Sequence, residues 1–80
     1  MSNTQGNPSD FEYPDLEDGG LFREAVETAL ETIEDIKIAN ALAVSRSTVH
    51  RWAKGTACPH PAMRKPVYKA LHQLQKEKQP

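Results

Sequence analysis

The sequence predicts an all-α fold, on three observations. From Leu21 onward apolar residues recur at helical spacing. No stretch alternates apolar and polar residues as a half-buried strand would. Glycine and proline cluster between the periodic segments rather than inside them, with Pro66 the one exception to place. Eighty residues make one domain at most. Apolar residues are 38 % of the chain, below the usual share, so part of it is expected to stay outside the core.

That part is the beginning. Residues 1–20 read as an acidic, disordered or loosely docked tail. They carry Pro8, Pro14, Gly6, Asn3 and Asn7, and after Met1 only Phe11, Tyr13 and Leu16 are large and apolar. So little buried surface cannot offset the entropy of ordering the segment. Gly19-Gly20 punctuates its end, and residues 21–78 form the helical domain.

In the first helix Phe22, Ala25, Val26, Ala29, Leu30 and Ile33 share one face, with Glu24, Glu27, Glu31 and Glu34 opposite. A second, shorter helix runs from about Asp35 to Ala43 and buries Ile38, Ala39 and Leu42. Ser45 suits the N-cap of a third, with Val44 and Val49 placed as a hydrophobic staple across it. Val49, Trp52 and Ala53 face inward, and Gly55 stands where the C-terminal cap belongs. Thr56 to Pro61 is a loop. Proline is most comfortable in a first helical turn, so the last helix is expected to start near Pro66, after a short helical turn over residues 62–65. Val67, Ala70, Leu71 and Leu74 make its stripe, leaving Tyr68 and Leu74 partly exposed, and residues 76–80 should fray.

The net charge of −1 conceals a split. Residues 1–35 hold ten acids and one base, Arg23, while residues 36–80 hold nine bases and one acid, Glu77. A basic segment is the electrostatic footprint expected of phosphate binding, although a solvated helix surface has the same composition. The lone Cys58 excludes an intramolecular disulfide framework. No apolar run approaches the roughly 18 residues of a membrane span, and the first residues lack the basic start and apolar stretch of a secretory signal, so a cytoplasmic location is expected. Cys58 and His60 would be two zinc ligands where four are wanted, and no glycine-rich phosphate loop is present. No metal, cofactor or enzymatic activity is therefore expected.

Spacing carries the function. Two short helices joined by three or four residues must cross steeply to share one core, and the small Ala39 permits their close approach. The crossing leaves free the outer face of the third helix, which reads Arg46, Ser47, His50, Arg51 and Lys54, with no acid among them. A helix fits the major groove of B-DNA, where arginine can grip guanine and serine can reach several base edges. Residues 35–55 resemble the helix-turn-helix of the lambda-repressor-like (Cro/repressor-type) DNA-binding domains. The resemblance is carried by Ala39, Leu42, Val44-Ser45, Val49, Trp52 and Gly55, and the flanking helices extend it to residues 21–76.

The resemblance implies a compact bundle of four to five helices containing a helix-turn-helix, and a small bacterial or phage transcriptional regulator with its recognition helix at about residues 45–54. Double-stranded DNA is then the partner, bound by a homodimer on two half-sites. Carried over position by position, Arg46, Ser47 and Arg51 become candidates for base contact, with Thr48 and His50 second; Lys37, Ser45 and Lys54 become candidates for phosphate contact. Arg64, Lys65 and Lys69 are expected to be ordinary helix surface, with the DNA backbone as a further option, and Trp52 to be core. The dimer surface is expected on the last helix, around Tyr68 and Leu74.

Two positions depart from the family pattern. Ala43 stands at a turn position where most members have glycine. Asp35 stands where members commonly face a phosphate, so Asp35 or Glu34 is expected to cap its own helix and leave the phosphate to Lys37. The acidic segment around Phe11, Tyr13 and Leu16 is a candidate for binding a protein partner or folding back over the basic face. A helix-turn-helix scaffold used for protein–protein interaction, as adaptor, anti-repressor or antitoxin-like binder, is the alternative function.

Overall fold

The computed structural model describes residues 12–78. They form four α-helices: α1 (Gly19–Leu30), α2 (Asp35–Leu42), α3 (Arg46–Lys54) and α4 (Pro61–Lys78), with no strand among the described residues. The helix α1 packs on α3 and α4, and α2 packs on the same pair. Their shared core is Phe22, Val26, Ala29, Ile33, Ile38, Ala39, Val49, Trp52, Ala53, Val67, Tyr68 and Leu71. Phe22 is its centre, with the rings of Trp52 and Tyr68 edge-on at centroid distances of 5.5 and 5.6 Å. Aromatic pairs favour that geometry because a positive ring edge meets a negative face. Among the described residues no helix is long and apolar enough to cross a membrane.

The helix α1 starts at Gly19, two residues before the boundary expected from Gly19-Gly20. Asp18 is the reason: its Oδ1 accepts from the Gly20 and Leu21 N–H groups at 2.9 and 3.2 Å, satisfying donors that a helix start leaves open. The described part of the acidic segment also rests on the domain. Leu16 and Tyr13 pack against the core, and the Leu16 carbonyl accepts from Arg64 Nη1 at 2.7 Å. Residues 1–11, and with them Phe11, lie outside the described residues.

The C-terminal ends of α2 and α3 are each closed by the backbone. At the end of α2, Val44 N–H donates to Ala39 O (3.0 Å) and Ala43 N–H to Asn40 O (3.3 Å). At the end of α3, Thr56 N–H donates to Arg51 O (3.0 Å) and Gly55 N–H to Trp52 O (3.2 Å). This double closure needs one left-handed residue. Gly55 provides it at φ 81°, where an added Cβ would lie 3.1 Å from Arg23 Cδ. At the first site the residue is Ala43, at φ 58° and ψ 42°. The left-handed region costs an L-residue with a Cβ about 1 kcal/mol or more. Ala43→Gly is therefore expected to stabilise the domain by about 0.5–1 kcal/mol after the greater unfolded-state entropy of glycine is counted, raising Tm by about 3–5 °C. A thermal melt showing no rise would remove the strain account of this turn.

The last helix differs most from expectation. It begins at Pro61 and runs through Pro66 without interruption. Pro61 fits the first helical position because it has no N–H to satisfy. The preceding His60 accepts the Ala62 N–H on its Nδ1 at 3.1 Å and the Met63 N–H on its carbonyl at 2.8 Å. Arg64 then ties this turn down: only 8 % exposed, it donates from Nε to Pro59 O at 2.9 Å, besides its bond to Leu16, and lies over the Phe22 ring. An anchored first turn lets the helix pass the bond that Pro66 cannot make. Arg64 is thus an internal tie rather than helix surface. Tyr68 is corrected with it: at 2 % exposure it belongs to the core, its hydroxyl has no hydrogen-bond partner among the described residues, and burial pushes its pKa above the ordinary value. The dimer surface expected around Tyr68 therefore loses that residue, while Leu74 is half-buried against the core.

Candidate nucleic-acid interface

The direction of α3 follows from its two faces. Val49, Trp52 and Ala53 are buried, which turns Arg46, Ser47, His50, Arg51 and Lys54 outward. These five side chains line one shallow open depression, and α3 contains no acid. Ser45 caps the helix as expected, its Oγ accepting the Thr48 N–H at 3.1 Å. Two candidates are thereby drawn from the outer face toward the turn. The Ser45 hydroxyl is engaged in the cap, and the Thr48 hydroxyl lies 2.9 Å from it on a half-buried residue. Lys37 stands exposed on α2, and Lys54 is exposed at the far end of α3.

Asp35, expected to act within its own helix, has its partners on α3 instead. The Glu34 side chain makes no cap bond, and Asp35 does not stand alone. The carboxylate of Asp35 instead reaches across to α3, where Oδ1 meets Arg46 Nε at 3.3 Å and Oδ2 meets His50 Nε2 at 2.7 Å. The reason is geometric: α2 packs on α3, and the first turn of α2 comes beside the first turns of α3. The hydrogen bond from His50 is the main influence holding the Asp35 carboxyl below its ordinary pKa, with the Arg46 guanidinium adding to it against some desolvation. The pair remains open to solvent, with Arg46 62 % and His50 50 % exposed and Asp35 at 22 %. A signal for it existed in the sequence: no acid occurs between Asp35 and Glu77, so this carboxylate faces only bases over the next forty residues.

Chemically, the face offers two guanidiniums, an ammonium, a hydroxyl and an imidazole on one helix, with one carboxylate at its rim. Such a set grips anionic or acceptor-rich partners. Arg64 is drawn inside and takes no part in the face; Lys65 is exposed with its Nζ 5.2 Å from the Tyr13 ring centroid, and Lys69 is exposed on α4. Comparison with family models, curated proteins and solved structures finds no match for this chain.

Proposed function

We propose that this chain is a small sequence-specific DNA-binding regulator, and that α3 enters the major groove as the recognition helix of a helix-turn-helix formed with α2. The observation that carries the reading is the outer face of α3, where Arg46, Ser47, His50, Arg51 and Lys54 stand exposed on a helix with no acid. Arg46, Ser47, Arg51 and His50 are the base-reading set, whereas Lys37 and Lys54 are the cations for phosphate. Ser45 and Thr48 support the helix start, so that backbone N–H groups there can face a phosphate. One such helix reads only a few base pairs, so two copies on adjacent half-sites supply useful specificity. The protein acts by occupying its site or by contacting polymerase from beside it, in the cytoplasm of a bacterial or phage-infected cell.

Two features favour the second reading, a scaffold for a protein partner: ten of the eleven acids lie in residues 1–35, and Asp35 already neutralises part of the basic face. The described acidic segment has less to offer a partner, since Tyr13 and Leu16 already pack on the domain. Selection of bound sites from a random duplex pool, followed by a salt titration, decides between the two. DNA binding gives an enriched motif and an affinity falling log-linearly with salt, with a slope of about −2 to −3 per subunit if two or three phosphates are neutralised. A protein scaffold gives no enrichment and little binding at physiological salt.

A further inference from the structure

Resting on the DNA-binding reading, we infer that Asp35 is a positioning residue that commits Arg46 to reading guanine instead of gripping phosphate. As a bare charge at the rim of the face, a carboxylate would only repel the nucleic acid. Its two oxygens, however, are both directed at the side chains that do the reading, Oδ1 to Arg46 Nε and Oδ2 to His50 Nε2.

The atom used on Arg46 matters. The carboxylate meets the guanidinium at Nε, at 3.3 Å, and the two Nη groups stand beyond it at the tip of the side chain. The paired Nη groups at the tip of the guanidinium are a fork that matches O6 and N7 of guanine in the major groove. Lysine, with a single ammonium on a flexible stem, cannot satisfy an internal carboxylate and offer a planar fork at once. The bond to His50 works in the same direction. It holds the second carboxylate oxygen, and because a carboxylate only accepts, it places a proton on Nε2 and leaves Nδ1 as the remaining ring nitrogen. Asp35 therefore lowers the general attraction of the face for phosphate and raises its discrimination between bases.

A double-mutant cycle on the full chain tests this, with D35A, R46K and the two combined. Affinity is measured for the selected duplex, for the same duplex with each guanine replaced in turn, and for a scrambled duplex, all at one salt concentration. D35A is expected to raise affinity for the scrambled duplex about threefold and to lower the preference for guanine at one position about tenfold. In the R46K background the same change should leave that preference within about twofold, because the fork it orients is gone. D35N, which keeps an acceptor oxygen without the charge, should retain part of the preference while still binding scrambled DNA more tightly. It also serves as the folded comparison if D35A melts early. The inference is overturned if D35A leaves the guanine preference intact, or changes it equally with and without Arg46. It falls together with the DNA-binding reading if the parent protein shows neither site preference nor salt dependence; those results separate the two failures.

Discussion

Phe22→Ala is expected to leave little folded protein at 25 °C. The ring is fully buried and stands in edge contact with both Trp52 and Tyr68. Removing it takes the transfer free energy of a benzyl group and leaves a cavity that three helices cannot easily close, together about 3–5 kcal/mol. A domain of this size has net stability of order 5 kcal/mol, so the loss is comparable with the whole. Arg64 would lose the ring beneath its guanidinium as well, and with it part of the anchor at the start of α4. Phe22→Leu should be milder, at about 1–1.5 kcal/mol, and Glu27→Ala on the exposed face of α1 should stay within about 0.5 kcal/mol. Chemical denaturation of the three variants checks the order. A stable Phe22→Ala protein would show that the core does not close around this ring.

Arg51→Ala should do the opposite: keep the fold and lose recognition. The Arg51 side chain is exposed, and its backbone carbonyl accepts from the Thr56 N–H and hydroxyl to finish α3. Truncating the side chain leaves those bonds in place, so Tm should move by no more than a degree or two. If Arg51 reads a base edge, specific affinity falls by about 1–3 kcal/mol, and discrimination is lost at one base pair. Lys54→Ala provides the contrast: as a phosphate contact it should weaken binding to all sequences alike and reduce the salt slope by about one. Fluorescence anisotropy on selected and scrambled duplexes distinguishes the two patterns. Unchanged affinity of Arg51→Ala for the selected duplex would remove Arg51 from the base-reading set.

Periodicity was enough to separate the inside of α3 from its outside. Val49, Trp52 and Ala53 recur at helical spacing and are buried; Arg46, His50, Arg51 and Lys54 recur on the other side and are exposed. Capping chemistry was equally legible, since Ser45 and Gly55 act through their immediate neighbours. The start of α4 was not, because the local preference of Pro66 for a first turn points to a start at that residue. A buried arginine, held by carbonyls at Pro59 and Leu16, outweighs that preference. The register offered one clue, for Arg64 lies three and seven residues before the buried Val67 and Leu71. Charge argued for the surface, and only a partner 48 residues away in the chain could overrule it.

By itself the sequence determined the helical segments, the apolar stripes that bring them together and the basic outer face of α3. All of these rest on interactions within a few residues, or on a period that a single helix imposes. The tertiary structure alone decided that Asp35 joins Arg46 and His50, that Arg64 and Tyr68 go inside, and that Leu16 is tied to α4. Each of these depends on how two separate elements cross, and a linear pattern carries no distance between elements.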